Sequence, residues 1–151
     1  MAPHQVKELV DRLAAAYPDP AMSDETRELY RRMLTDLYYE DADSVVDELI
    51  ATMMRLPTIS RIRRSVIEPK LGLPTAEEAW VAIQERESKL HDLVRLTARL
   101  MGGTFNLRTS TDPELTRTRF VKVYEALSRR TVDHALATNL RARRMKVPER
   151  M

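Results

Sequence analysis

The chain has no cysteine, which rules out a disulfide framework and a thiolate metal site. Only 3 of its 151 residues are glycine, too few for the glycine-rich phosphate loop of a Walker or dinucleotide motif. ATP hydrolysis is therefore not expected. Aromatic residues make up 5%. No run approaches the roughly 20 apolar residues that a membrane span requires, so no membrane partner is expected. The opening Met1-Ala2-Pro3-His4-Gln5 lacks the basic and apolar regions of a signal peptide. Together these absences give a cytoplasmic location as the expectation.

Catalytic and metal-ligating patterns are missing as well. His4, His91 and His134 are isolated, and no histidine pair has metal-ligand spacing. Ser60 and Ser88 read as helix-surface or cap residues, with no nucleophile elbow around them. Glu77-Glu78 and Glu40-Asp41 are adjacent carboxylates at helix starts, where the positive end of the helix dipole accounts for them better than acid–base work does. The reading is of a protein that is not an enzyme and needs no cofactor, metal or small-molecule substrate.

Alanine, leucine, arginine and glutamate dominate, with apolar residues spaced three or four apart. That spacing predicts an all-α protein. A first helix spans about residues 3–16, with Val6, Leu9, Val10 and Leu13 on one face, and Tyr17-Pro18-Asp19-Pro20 ends it. Ser23 caps a second helix whose stripe is Thr26, Leu29, Tyr30, Met33, Leu34 and Leu37. A third places Ala42, Val45, Val46, Leu49, Ile50 and Met53 inside. Tyr38-Tyr39 lies between them, either divided between core and rim or stacking on bases.

Pro69-Lys70-Leu71-Gly72-Leu73-Pro74 is the strongest boundary. The expected organisation is a bundle of about four helices over residues 1–68, a linker at 69–74, two to three helices over 75–138 and a basic flexible tail at 139–151. Thr75-Ala76-Glu77-Glu78 is a capping box. The helical pattern after it runs to Met101, or breaks at the polar run Gln84 to Lys89, and stops at Gly102-Gly103. Residues 104–111 read as a loop with Phe105 and Leu107 packed inward. Asp112-Pro113 starts the last helix, which carries Leu115, Phe120, Val123, Tyr124, Leu127 and Leu136 on its apolar side and frays after about Thr138. Trp80 reads as packing the junction between the two halves, or as a partner hot spot.

Net charge is only +2 but unevenly placed. Residues 19–48 hold ten acids against three arginines, while residues 55–70 hold five bases against one acid. The last thirteen residues hold five bases against one acid. Such a dipolar chain suits a charged partner or self-association, with solvated helix faces as the plainer account. The richest segment is Leu56-Pro57-Thr58-Ile59-Ser60-Arg61-Ile62-Arg63-Arg64. Thr58 is the expected cap of a fourth helix, to about Glu68, with Ile59, Ile62 and Val66 buried. Arg61, Arg63 and Arg64 are expected to face outward together. A helix, a tight turn and a basic second helix form a candidate for nucleic-acid or partner contact. Arg55, Pro57, Arg61, Arg63 and Arg64 are the candidate partner-binding residues. Arg141, Arg143, Arg144 and Lys146 are candidates for contact with nucleic acid or partner.

Ala16-Tyr17-Pro18, Ser23-Asp24-Glu25-Thr26, Leu34 to Ala42, Leu49-Ile50-Ala51-Thr52 and Pro57 to Arg63 occur in this order. Over about residues 5–70 the set resembles the phage replicative-helicase loader/inhibitor family. Leu73 to Trp80, Gly102-Gly103, Phe120 and Tyr124-Glu125 resemble C-terminal regions of similar proteins of actinobacterial phages and prophages. The resemblance implies a non-enzymatic DNA-replication protein of the bacterial host cytoplasm. Such a protein binds, restrains and loads a hexameric DnaB-type helicase. An origin-binding initiator or a single-stranded-DNA-binding protein joins the implied partners, with weak DNA contact. In the best-known type the C-terminal part is largely disordered and carries the helicase contact, whereas residues 75–138 here are well patterned. The alternative is a helical DNA-binding module, acting as a regulator or origin binder through the fourth helix. That segment offers few base-reading side chains, with no Asn or Gln over residues 55–70.

Overall fold

A computed structural model describes residues 1–146, and side chains for residues 1–139. Every regular element among the described residues is helical, so the all-α expectation holds. No described helix is long and apolar enough to cross a membrane. The contact pattern divides the chain into two units, the first containing Met1–Lys70 and the second being Leu71–Ala137.

The first unit contains α1 (Pro3–Ala16), α2 (Asp24–Leu34), α3 (Tyr39–Thr52) and α4 (Ile59–Ile67), followed by a 3₁₀ turn at Glu68–Leu71. Proline at the first position of α1 needs no N–H there. Ser23 Oγ accepts from Thr26 N at 3.1 Å, and Asp24 and Glu25 complement the positive end of α2. The core is the predicted stripe of α1 (Val6, Leu9, Val10, Leu13) against Tyr30, Leu34, Leu37, Ala42, Val46, Leu49, Ile62 and Val66. Burying a Leu or Val side chain is worth about 1.5–3 kcal/mol, so this cluster is the main hold on the four helices. One member of the expected α2 stripe departs. Leu29 is 43% exposed, because the buried face of α2 runs through Tyr30 and Leu34.

Polar links reinforce this core. Arg12 donates to Asp43 at 2.7 Å, Asp47 at 2.8 Å and Glu8 at 2.8 Å, tying α1 to α3. Burial works against the Arg12 charge, but the three carboxylates outweigh it and hold the guanidinium above its ordinary pKa. Tyr39 OH donates to Glu8 at 3.1 Å, while its neighbour Tyr38 is exposed. Tyr39 is partly buried against the first core, as the division between core and rim expects for one of the pair.

The second unit contains α5 (Ala76–Gln84), α6 (Asp92–Leu100), the short α7 (Thr104–Arg108) and, as far as Ala137, α8 (Pro113–Lys146). That makes four helices where two to three are expected. The pattern from Thr75 to Met101 does break, with Arg86 at φ +56° just after α5. His91 Nδ1 accepts from Leu93 N at 3.1 Å and starts α6, so this histidine is a cap. Thr75 and Asp112 cap as expected, accepting from Glu78 N at 3.1 Å and Leu115 N at 3.2 Å. Ala79, Trp80, Ile83, Leu93, Val94, Ala98, Leu107, Phe120 and Tyr124 form the core. Trp80 packs within it, its ring centroid 5.5 Å from Phe120, which lies 6.0 Å from Tyr124. This corrects its assignment to the junction between the halves. Residues 104–108 are a helical turn rather than a loop, and Phe105 is 69% exposed rather than packed inward. The last helix runs to Lys146, and the rest of the basic tail expected at 139–151 lies outside the described residues.

Candidate partner-docking site

The α3–α4 corner brings together the residues that the sequence singles out. α3 ends where Met53 turns to extended backbone, its N–H still bonded to Leu49 O at 2.8 Å. Two tyrosine hydroxyls then hold the turn from outside it. Tyr17 OH donates to Met53 O at 2.8 Å, and Tyr30 OH donates to Pro57 O at 2.7 Å. Pro57 has no N–H, so its carbonyl is the backbone group that must find a donor. Burial raises the Tyr30 pKa above its ordinary value. Thr58 Oγ1 accepts from Arg61 N at 3.1 Å and starts α4 as expected.

The structure separates the five candidate residues. Arg55 and Arg61 are exposed, and Arg64 is half-buried. Pro57 is fully buried and cannot meet a partner; it seals the corner from within. Arg63 is also not a surface residue. Its side chain is 4% exposed and forms a bidentate pair with Asp36, at 2.6 Å and 2.8 Å. It also donates to Met33 O at 2.6 Å, an acceptor left open at the end of α2. The expectation that Arg61, Arg63 and Arg64 face outward together is therefore corrected.

The reason is the four-residue row on α4. Ile59, Arg63 and Ile67 lie one turn apart on the same side of the helix, and the buried set is Ile62, Arg63, Val66 and Ile67. Read with its neighbours at four-residue spacing, Arg63 falls within the apolar face. A buried arginine needs a carboxylate with good geometry, and Asp36 supplies it.

Beside these residues the turn presents Met54, which is 99% exposed. The outward face of the corner is thus one large apolar side chain, Met54, with the cations Arg55 and Arg61. Arg141, Arg143, Arg144 and Lys146 lie on the last stretch of α8, and their side chains are outside the described residues. Much of the acidic stretch is internally neutralised. Asp36 pairs with Arg63, Asp43 and Asp47 with Arg12, and Asp41 with Lys70 at 2.7 Å. The charge count of residues 19–48 therefore overstates the acidic surface available to a partner.

No protein-family model, curated protein or solved structure matches this chain.

Proposed function

We propose that this chain is a non-enzymatic accessory protein of DNA replication that binds a hexameric DnaB-type helicase, restrains it and assists its loading. The observation that carries the reading is the α3–α4 corner: a turn fixed by Tyr17, Tyr30 and the Asp36–Arg63 pair that displays Met54, Arg55 and Arg61. Methionine and arginine are enriched at protein interfaces, and a rigid corner docks without a large ordering cost. The ordered motifs that resemble the helicase loader/inhibitor family fall on the residues that build this corner. Tyr17, Pro57 and the Asp36–Arg63 pair hold or seal it, and Leu34, Ala42, Leu49 and Ile62 belong to the core beneath the first unit's helices. The mechanism is occupancy of a helicase subunit surface, which favours one ring state by its differential affinity for the two.

A groove-reading α4 is less well supported. Four of its nine residues are buried, and Arg63 is committed to Asp36. That leaves Arg61 and the half-buried Arg64 as the bases of the helix. Such a face can touch phosphate but offers little to base edges.

The test is size-exclusion chromatography with light scattering, mixing the chain with the replicative helicase of its host, with and without ATP. A complex near ring mass plus several copies is expected, and Met54→Asp combined with Arg61→Glu should dissolve it. No complex at tens of micromolar under either condition would overturn the helicase reading, and salt-sensitive duplex binding would then make DNA the partner.

A further inference from the structure

We propose that the α6–α7 corner of the second unit docks an acidic amphipathic helix of a partner protein. The surface goes beyond the helicase reading, which rests on the first unit. Leu96, Leu100 and Phe105 are 40%, 62% and 69% exposed. Leu96 and Leu100 are four residues apart and form one stripe of α6, while Leu93, Val94, Thr97 and Ala98 face the core. Phe105 is the second residue of α7, which starts at Thr104 after the turn Met101–Gly103.

That turn is rigid. Gly103 N–H donates to Ala98 O at 2.7 Å, and Gly102 N–H donates to Arg99 O at 3.2 Å. Both glycines have positive φ, +94° and +101°, which a side chain would oppose. Asn106 Nδ2 donates to Gly102 O at 2.7 Å, and a Cβ at Gly102 would stand 2.7 Å from that same nitrogen. The apolar side chains are therefore presented by a fixed corner, which lowers the ordering cost of binding.

The rim of this corner is cationic. Arg95 and Arg99 line the α6 stripe next to Leu96 and Leu100, and Arg108 ends α7 three residues after Phe105. Arg95 already holds Asp92. Arg99 has no ion pair among the described residues. Arg108 is half-buried, with its Nε sheltered from solvent, so the charge open to a partner's carboxylate is chiefly that of the exposed Arg99. Apolar anchors at one-turn spacing with flanking arginines fit a helix bearing Leu or Phe on one side and Asp or Glu beside them. A second copy of this face would be a poor occupant, because a two-fold contact would set arginine against arginine.

Fluorescence anisotropy tests this on the full chain. The probe is a fluorescein-labelled 14-residue amphipathic peptide with Leu and Phe on one face and Glu elsewhere. A second peptide replaces every Glu by Lys. The Glu peptide is expected to bind at micromolar concentration and at least about tenfold more tightly than the Lys peptide. Leu100→Ala and Phe105→Ala, both exposed and so harmless to folding, should each weaken it about tenfold. Equal binding of the two peptides, no binding up to millimolar concentration, or affinity unmoved by both variants would overturn the proposal. Sedimentation that reveals self-association abolished by the same variants would overturn it too, by making a second copy the occupant. None of these readouts uses the helicase, so failure here is separable from failure of the proposed function.

Discussion

The two units solve the same packing problem with different chemistry. The first closes an aliphatic core with polar cross-links: Arg12 to three carboxylates, Arg63 to Asp36, and two tyrosine hydroxyls to backbone carbonyls. The second relies more on an aromatic row, Trp80, Phe120 and Tyr124, beside fewer links of that kind, Tyr124 OH to Pro74 O and Arg117 to Glu77, and closes its helix starts with Thr75, His91 and Asp112. It leaves Leu96, Leu100, Phe105 and Leu115 at the surface. Polar cross-links fix a turn by direction as well as by distance. Aromatic packing supplies more buried area per residue but less geometric constraint. The contrast teaches that a turn takes a defined shape where hydrogen bonds reach its backbone directly, as at Pro57 in the first unit and Gly102 in the second.

The largest effect should come from breaking the buried pair. Asp36→Ala strands the buried Arg63 guanidinium in the first core and should cost about 3–5 kcal/mol, read as a fall in the urea midpoint, while Arg63→Ala leaves Asp36 at the surface and should cost less. The double variant Arg63→Met with Asp36→Leu should recover most of that loss, since apolar replacement of a buried pair is often neutral. If Asp36→Ala costs under about 1 kcal/mol, the pair is not the clamp described. Phe120→Ala probes the other scaffold and should also cost about 3–5 kcal/mol through cavity formation. Its loss of amide protection in hydrogen exchange should centre on α5 and α8.

Cap removal comes next. Thr58→Ala and Asp112→Ala should each cost about 1 kcal/mol, measured by chemical denaturation, with Thr58→Gly closer to neutral. Alkali then separates the units by their tyrosines. Burial raises the Tyr30 pKa, and burial with the Glu78 charge raises that of Tyr124. A tyrosine raised in the folded state binds its proton more tightly there than in the unfolded chain. Stability is therefore full below the unfolded value of about 10 and falls as pH rises through the folded value. Tyr30→Phe should flatten part of that alkaline decline in denaturation curves taken between pH 9 and 11. An unchanged slope would place Tyr30 in ordinary solvent.

The smallest stability effect belongs to Arg61→Glu, within about 0.5 kcal/mol because the residue is exposed. The same substitution should weaken partner docking, which separates surface from scaffold at one residue.

The sequence makes the helices legible where periodicity and caps agree. The face of α1, the caps Ser23, Thr58, Thr75 and Asp112, and the break after Gln84 all stand where apolar spacing and cap chemistry put them. What escapes is what depends on a partner distant in the chain. Arg63 reads as surface because a charge is normally solvated, and only Asp36, 27 residues earlier, makes its burial affordable in free energy. Pro57 belongs to the inside of its corner because Tyr30 reaches its carbonyl across the same separation of 27 residues. Phe105 fails the opposite way. Its hydrophobicity predicts burial, yet the two-glycine turn gives the inward position to Leu107. The candidate site is thus half legible, with Arg55 and Arg61 at the surface and Pro57 and Arg63 beneath it.

The bidentate clamp between α2 and α4 has a consequence for inheritance. A chain that loses the carboxylate at position 36 keeps the buried guanidinium of Arg63 stranded until a second change removes it. A change at 36 should therefore come with one at 63 among descendants of this fold, or pass through an unstable intermediate. Drift at the exposed Arg55 and Arg61 has no such coupling to the core and answers only to what they touch. Within a few residues of one turn, the lineage thus carries one pair locked by the fold and one pair free to follow a partner.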